Sequence, residues 1–444
     1  MSSFTPGRSK TLRDAVHGDI TFSGRELGII DSEPVQRLRW IRQLGTSSLV
    51  YPGAVHTRFE HSLGTCWVAK RIMRELAEAG EGLAPEEEEA VSLAALLHDV
   101  THLPFGHTIE DERRIFSRHD EDQSRLERIL TTSELASRLE HYGQFERVLQ
   151  ILQPGDPLQK ANPCLAQIIS YTICADLLDY LKRDTYYCGL SQFYDDRIFR
   201  YFHREQDTLI LRLFKGGLFR HDAMSEVINL LRIRYFLTER VYYHHAKVSS
   251  GLMVACAVQA AVEHGLSLEE ISGLGDESLL HVLRKEYGEI PAVRAMLSGL
   301  RRRALYKKAY VVTSRAGERE RRKLVTRYHL NRRGLRATAE EDLAAALGVP
   351  AWAVGIYCPP MDMHLKEANV LVRIDPGPLR HLASLGHQEV QALQDRYRKL
   401  WRFYVFIAAE FSAKIQQTGA ACEEYFRVPN ELGAISRGQL ELFS

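Results

Sequence analysis

The sequence carries little net charge and no long apolar run. Its 444 residues contain 58 Lys and Arg and 57 Asp and Glu, which gives a formal net charge of +1. This balance creates no overall field that would draw the chain to nucleic acid or to an anionic membrane. No apolar stretch is long enough to span a bilayer, and no signal peptide is recognisable. We therefore expect a globular cytoplasmic protein without membrane partners.

Paired cysteines and several common catalytic motifs are also missing. The seven cysteines are widely spread and show no paired spacing, which predicts reduced, buried thiols. The sequence has no glycine-rich phosphate loop and no Ser-His-Asp or Cys-His arrangement. These absences argue against kinase, P-loop and acyl-transfer chemistry.

The sequence does contain an apolar helix that ends in a histidine and an aspartate. Pro85, followed by a run of acids, predicts a helix N-terminus, and residues 86–97 continue at buried helical spacing. His98 and Asp99 follow directly, and residues 102–107 add two histidines in a loop broken by Pro and Gly. Because His and Asp are costly to bury alone, this pair predicts a metal or an ion-pair network.

Two further stretches supply partners for this pair. His61 and Asp176 lie in other predicted helices, and together with His98 and Asp99 they form a set of two imidazoles and two carboxylates. Such a set suits Mn, Fe, Mg, Co, Ni or Zn and leaves positions for water and phosphate oxygens. A closed metal site without chemistry is the alternative.

These residues lie in motifs that resemble the HD superfamily of metal-dependent phosphohydrolases. Within it, the sequence is similar to the deoxynucleoside triphosphate triphosphohydrolases, the branch of the vertebrate SAM-and-HD-domain enzyme, without a SAM domain. The motifs are QRLRWIRQLG (36–45), YPGA (51–54), RFEHSLG (58–64), HDVTHLPFGH (98–107) and DYLKRD (179–184). The resemblance implies one divalent metal ion per active site, and it allows a second Mg with the triphosphate.

The resemblance also assigns roles to residues around the metal set. It places His119 as the catalytic histidine, with Glu110 and Asp120 as its carboxylate neighbours. His102, which we group with the catalytic residues, and His107 match histidines on the phosphate side. A surface or capping role is the alternative for each histidine.

Substrate contacts follow from the same resemblance. It implies phosphate contacts from Arg58 and Arg234 and a deoxyribose pocket that excludes a 2′-hydroxyl. The pocket residues would be Gln43, Tyr180, Asp184 and Tyr242. The two tyrosines are also compatible with ordinary core positions.

A second nucleotide site is implied near the N-terminus. Asp31, Gln36 and Arg39 match residues that hold a guanine-type activator between subunits, and Lys10 matches a nearby phosphate contact. Capping by Asp31 and surface charge for the other two explain the same residues equally well. If the site exists, we expect a homo-oligomer, a two-fold tetramer.

The sequence departs from the family pattern at Leu177, where a basic residue often follows the metal aspartate. One phosphate contact is therefore missing or replaced. His56 is assigned to a surface or capping position, whereas Lys182 and Arg183 are as compatible with solvated or salt-bridged positions as with phosphate binding.

The fold is predicted to be mainly α. We expect an N-terminal segment over 1–50, an HD-domain helical catalytic core over 51–300 and a smaller α+β lobe over 301–444. The individual predictions are an extended piece with a turn over 10–22, helices over 33–44, 56–78, 86–99, 119–152, 165–183 and 221–264, a hairpin within 193–214, short strands at 310–312, 354–357 and 369–374, and a last helix from Leu393 to Phe411.

The function predicted by these features is metal-dependent hydrolysis of a dNTP to deoxynucleoside and triphosphate. The alternatives are another HD phosphohydrolase, such as a nucleotidase or phosphodiesterase, or a nucleotide-sensing scaffold. Residues 301–336 hold fourteen Lys and Arg and two acids. This segment is a solvated face, an extra phosphate contact or a weak nucleic-acid site.

Overall fold

The computed structural model describes residues 9–118, 121–153, 160–330 and 334–433. Helices dominate it, as predicted. The α-helices of these residues are Gly24–Ile30, Glu33–Arg37, Arg58–Glu78, Pro85–Leu97, His107–Asp111, Gln123–Thr132, Glu134–His141, Phe145–Leu152, Pro163–Ile169, Ala175–Tyr187, His221–Leu237, His245–Val262, Leu268–Ser272, Asp276–Glu286, Pro291–Arg301, Glu318–Val325, Leu335–Leu347, Gln388–Arg398 and Ile415–Phe426.

The strands form small, mostly antiparallel sheets. Lys10–Asp14 pairs with Gly18–Phe22 to form what we call the N-terminal hairpin. The other strands are Phe202–Glu205, Thr208–Arg212, Phe214–Lys215, Leu218–Phe219, Lys307–Thr313, Val354–Tyr357, Leu371–Arg373, Arg380–His381 and Arg402–Ile407. The hairpin predicted within 193–214 is therefore confirmed. A strand of the C-terminal lobe also pairs, in parallel, with Thr208–Arg212.

Three helices carry or surround the predicted metal ligands. Helix Arg58–Glu78 packs against both Pro85–Leu97 and Ala175–Tyr187. Pro85 occupies the first turn of its helix, and acids follow it there, as the sequence predicts. One apolar core connects these helices with the N-terminal hairpin and with the C-terminal lobe, from Ile20 to Val428. The domain boundaries at residues 50 and 300 stay predictions.

Three helical predictions are wrong in their extent. The α-helix predicted over 33–44 ends at Arg37, a single 3-10 turn covers Leu38–Trp40, and Ile41 is extended. The stretch 165–183 is broken at residues 170–174, and Cys174 is extended (φ −151°, ψ −179°) before the next helix begins. This break places Asp176 in the first turn of a new helix. The stretch 119–152 contains three short helices over its described residues, because turns at Ser133 and Gly143 interrupt the pattern.

The last predicted helix is also wrong beyond residue 398. Helix Gln388–Arg398 ends there, and Arg402–Ile407 is the middle strand of a three-stranded sheet in the C-terminal lobe. Five of its six residues are buried. A strand buried on both faces shows a continuous apolar run, which periodicity cannot distinguish from a buried helix.

No helix within the described ranges is long and apolar enough to cross a membrane. All seven cysteines lie within these ranges, and all are buried and free, as predicted.

Candidate active site

The helix that carries His61 begins with a sequence-encoded cap. Glu60 accepts hydrogen bonds from the backbone N–H and the hydroxyl of Thr57, at 2.6 and 2.9 Å. A T-x-x-E box of this kind satisfies the orphan donors of a helix start. It fixes the first turn of Arg58–Glu78 and therefore the direction in which His61 points.

Three of the four predicted metal ligands, His61, His98 and Asp99, have ligand atoms within 4.8 Å of one another, and Asp176 lies beside both histidines. The Nε2 atom of His61 lies 3.3 Å from His98 Nε2, 2.9 Å from Asp176 Oδ1 and 4.0 Å from Asp99 Oδ2. The Nε2 atom of His98 lies 3.5 Å from Asp99 Oδ1 and 3.9 Å from Asp176 Oδ1. His61 and Asp99 are buried, whereas the Asp176 side chain is 34% exposed, so the cluster opens on that side.

The donor set fits a divalent cation. His98 Nδ1 lies 2.8 Å from the Ala95 carbonyl and His61 Nδ1 lies 2.7 Å from Asp179, so each Nδ1 donates a proton there. Two imidazole Nε2 atoms and two carboxylates therefore lie close together, an arrangement that requires a proton or a cation between them. Burial would lower the pKa of His61, but without a cation the hydrogen bonds to Asp176 and Asp179 raise it to about 10, so a bound cation would take the place of the proton on Nε2.

Asp99 is held by a buried cation on its other side. Arg58 Nη1 donates to Asp99 Oδ2 at 2.7 Å, and His102 Nε2 lies 3.2 Å from Asp99 Oδ1. Burial would raise the pKa of Asp99, but Arg58, His98 and His102 lower it well below its usual range. Arg58 thus balances the charge of a predicted metal ligand in addition to lining the cavity.

The loop after Asp99 brings a carboxylate and two histidines together. Glu110 is fully buried and lies 3.3 Å from Arg125 Nη1. His102 Nδ1 and His107 Nδ1 lie 4.0 and 3.8 Å from Glu110 Oε2, and the two rings meet edge to face at 5.1 Å. His107 is 47% exposed and reaches the cavity. The other two predicted catalytic residues, His119 and Asp120, lie outside the described residues.

Two of the four predicted sugar residues, Asp184 and Tyr242, are hydrogen-bonded to each other. Tyr242 donates its hydroxyl to Asp184 Oδ2 at 2.6 Å, and His56 Nε2 lies 2.9 Å from Asp184 Oδ1. His56 is 1% exposed, so its assignment to a surface or capping position is wrong. Gln43 lines the same cavity as Asp184 and Tyr242, and its buried Oε1 has no hydrogen-bond partner among the described residues.

Arg234 sits between the predicted aromatic residues. Its guanidinium lies 5.6 Å from the ring centre of Tyr180 and 5.1 Å from that of Tyr242. It donates to Glu367 at 3.2 Å and to Thr238 at 3.1 Å. Burial raises the pKa of both tyrosines well above its ordinary value, so they stay neutral.

One cavity of about 980 Å³ connects these groups. Its wall includes His61, His98, Asp99 and Asp176 at the metal cluster and Asp184 and Tyr242 at the sugar group. The wall also carries cations that the sequence motifs did not indicate: Arg114, Arg118, Lys247 and Lys366. They come from loops and helices outside every recognised motif, so no spacing signalled them.

Leu177 does not replace the expected basic residue at the cavity, because it is 2% exposed within the apolar core. Arg183, for which phosphate binding was one possibility, is fully buried in ion pairs with Asp14 and Asp179. The salt-bridged alternative therefore describes Arg183.

Three of the predicted activator residues, Asp31, Arg39 and Lys10, are exposed, and Gln36 is half-buried. Gln36 donates to the Ile30 carbonyl at 2.8 Å, and Arg39 donates to Gln36 at 2.8 Å and lies 3.5 Å from the Phe59 ring centre. Asp31 is exposed at the C-cap of helix Gly24–Ile30, and Lys10 is exposed on the N-terminal hairpin. These contacts leave the activator site a prediction.

Two family models match the chain. Residues 58–184 match the family model described as HD domain, and residues 219–434 match the one described as HD associated region. The chain therefore belongs to the HD-domain family.

Among its relatives are deoxynucleoside triphosphate triphosphohydrolases. The chain is 28% identical over 346 residues to SAMHD1 of Bos taurus, covering 67% of this chain and 58% of that protein. It is 30% identical over 315 residues to the SAMHD1 homolog of Dictyostelium discoideum, covering 67% and 60%. It is 32% identical over 246 residues to the uncharacterized protein YwfO of Bacillus subtilis, covering 53% and 52%. The chain thus spans little more than half the length of these relatives.

Solved structures share the fold. A hypothetical protein from Aquifex aeolicus superposes with a TM-score of 0.70 at 24% identity, over 93% of this chain and all of that one. The phosphohydrolase BT4208 from Bacteroides thetaiotaomicron gives 0.69 at 23% identity, over 90% and 99%. At these identities the likeness concerns the fold alone.

Proposed function

We propose that the chain hydrolyses deoxynucleoside triphosphates to the deoxynucleoside and intact triphosphate, with a divalent metal ion held by His61, His98, Asp99 and Asp176. The observation that carries this proposal is that the ligand cluster and the Asp184–Tyr242 pair line one cavity. Its volume of about 980 Å³ is in the range of nucleotide-sized ligands. The triphosphohydrolase relatives support the same substrate class.

The chain's own residues have distinct tasks in this reaction. Asp184 accepts one hydrogen bond on each oxygen and keeps lone pairs for a sugar hydroxyl. We propose that the ring of Tyr242 beside it excludes a 2′-hydroxyl. Arg58, Arg234 and the exposed Lys366 offset triphosphate charge, and we propose that Lys366 supplies the contact that Leu177 lacks.

The bond changes define the products. The oxygen of water joins the α-phosphorus, the bond between that phosphorus and the 5′ oxygen breaks, and the 5′ oxygen takes a proton. A divalent ion supplies a water of lowered pKa and a hold on a phosphate oxygen in such sites. We propose His119 as the proton donor, with His102, His107 and Glu110 around the phosphates.

The test is product analysis in ¹⁸O-labelled water with Mn²⁺ or Mg²⁺, offering each dNTP and NTP alone and in mixtures. We expect one ¹⁸O in the triphosphate and none in the deoxynucleoside, and no turnover by His98→Ala. Release of orthophosphate, or turnover of monophosphates only, would instead favour a nucleotidase or phosphodiesterase. Bound nucleotide without turnover in any mixture would favour a sensing scaffold.

We also propose an activating nucleotide at Asp31, Gln36, Arg39 and Lys10 in a homotetramer, which predicts turnover that requires mixtures. A cytoplasmic location is proposed because seven buried cysteines all remain unpaired.

A further inference from the structure

The N-terminal hairpin reaches the metal cluster through a buried chain of hydrogen bonds. His17, in its turn, lies with Nε2 2.7 Å from Asp179 Oδ1. The other oxygen of Asp179 lies 2.7 Å from His61 Nδ1. The side chains of His17 and Asp179 are fully buried, and that of His61 is 1% exposed. A residue far from the HD motifs is thus two hydrogen bonds from a metal ligand.

Asp179 can only act as an acceptor in this chain. Arg183 donates to it from Nε at 2.8 Å and from Nη2 at 2.9 Å, and an arginine has donors only. Both imidazoles must therefore present N–H groups to Asp179. For His61 this places the proton on Nδ1 and leaves the Nε2 lone pair facing His98 and Asp176.

The hairpin turn is built to hold His17 in place. Asp14 Oδ1 accepts from the backbone N–H of Val16 at 2.9 Å and of His17 at 2.8 Å, which closes the turn. Arg183 bridges this carboxylate to Asp179, donating to Asp14 Oδ2 at 2.9 Å. The His17 ring stacks on Trp67, with ring centres 4.3 Å apart.

Helix Arg58–Glu78 leaves space for this chain of hydrogen bonds at Gly64. A Cβ there would lie 1.9 Å from Asp179 Oδ1 and 2.3 Å from Arg183 Nη2. Because residues three apart share one helix face, the missing side chain lies directly beside His61. The glycine of the RFEHSLG motif therefore lets the carboxylate reach the imidazole.

From these contacts we infer that His17 and Asp179 are positioning residues, which fix the tautomer and ring orientation of His61 and so set the affinity of the metal site. Partners of this kind around a ligating imidazole typically change metal affinity ~10–100-fold when removed. The inference rests on the proposed metal site at His61.

The test measures Mn²⁺ binding by the whole chain without nucleotide, using the EPR signal of free Mn²⁺. His17→Phe keeps an aromatic ring on Trp67 and removes the donor, whereas His17→Gln keeps an N–H donor. We expect His17→Phe to bind Mn²⁺ at least ~10-fold more weakly than the unmodified chain. His17→Gln should recover part of this affinity, and Asp179→Asn should lose still more of it than His17→Phe. A smaller Mn²⁺-induced rise in Tm should accompany each loss.

Two outcomes separate this inference from the metal site itself. If neither the unmodified chain nor His98→Ala binds Mn²⁺, the proposed metal site is wrong and the inference falls with it. If the unmodified chain binds, His98→Ala does not, and His17→Phe binds as tightly as the unmodified chain, the metal site stands and the positioning role is wrong. A fall in Tm that is equal with and without Mn²⁺ would also contradict positioning.

Discussion

Tyr242 donates its hydroxyl to Asp184 across 2.6 Å, and both side chains line the cavity that the metal ligands share. In the proposed function, this pair would combine a carboxylate that accepts from a sugar hydroxyl with a ring that limits the space beside it. These two properties can be separated by mutation.

Tyr242→Phe removes the hydroxyl and keeps the ring, whereas Tyr242→Ala removes both. We expect Tyr242→Phe to lower kcat/KM for a dNTP ~10-fold, since a hydrogen bond to a charged group contributes about 1.5–3 kcal/mol, and to keep the preference over the matching NTP. Tyr242→Ala should also reduce that preference ~10-fold. Competition assays with dNTP and NTP measure both quantities. An unchanged preference in Tyr242→Ala would contradict steric exclusion of the 2′-hydroxyl.

Arg58 is expected to stabilise the fold as well as the substrate. Its ion pair with Asp99 is buried, and removal of one partner leaves an uncompensated charge. Arg58→Gln should lower the free energy of unfolding by about 3–5 kcal/mol in EDTA, measured by urea denaturation. Mn²⁺ should restore part of this loss, because the cation also balances Asp99.

Arg13→Gln is the matched control for this prediction. Arg13 pairs with Asp19 at 3.0 Å on the surface, where both side chains are mostly exposed. Its loss should change the free energy of unfolding by less than about 1 kcal/mol, with no response to Mn²⁺. Equal losses in the two variants would mean that the buried pair contributes no more than a surface pair.

Gly106 is predicted to be required for the position of Arg58. It has φ +51°, and a Cβ there would lie 2.5 Å from Arg58 Nη2. Gly143 has φ +67° with nothing within 4 Å of a Cβ, so it shares the backbone strain and lacks the contact. Both Gly→Ala variants should lose about 1 kcal/mol or more of stability. In a dNTP assay, only Gly106→Ala should lose turnover, by ~10-fold or more. Equal turnover in the two variants would mean that the contact between Gly106 and Arg58 is not needed for activity.

His61, His98, Asp99, Gln43, Tyr180 and Asp184 could be proposed from the sequence because each lies in one of the family-like motifs, whereas Asp176 and Tyr242 lie outside those motifs. The sequence could not predict the surroundings of Arg183 or His56. Arg183 pairs with Asp14, which is distant in sequence, and with Asp179, which looks like a solvated charge until the helices pack. The partner of His56 is Asp184, which is also distant in sequence. The position of the hairpin turn beside the metal cluster is likewise a tertiary property.

The fold was predicted well where periodicity is one-sided and poorly where burial is complete. Helix Arg58–Glu78 matched its prediction closely. Strand Arg402–Ile407 did not, because its buried run satisfies helical spacing as well. The break at residues 170–174 has no proline or glycine to signal it.

Asp276 provides a pH-dependent test of how the site loop is anchored. It accepts backbone N–H bonds from Phe105 at 2.6 Å and from Arg42 at 3.0 Å, which ties the loop after the metal ligands to helix Asp276–Glu286. Burial raises the pKa of Asp276 to about 6, despite these donors. An unfolded chain has an ordinary aspartate pKa near ~3.9.

The folded state therefore binds more protons than the unfolded state between about pH 4 and 6. The contribution of Asp276 to stability should be present at pH 4 and should fall as the pH rises through 6, by on the order of 2 kcal/mol. The side chain of Asp276→Asn cannot ionise, so the contribution of residue 276 to the stability of this variant does not depend on pH. We would measure the free energy of unfolding of both proteins by urea denaturation from pH 4 to 7. As the pH rises, the unmodified chain should lose stability relative to Asp276→Asn. A gain in its relative stability with rising pH would mean that the two N–H donors outweigh burial and hold the carboxylate ionised.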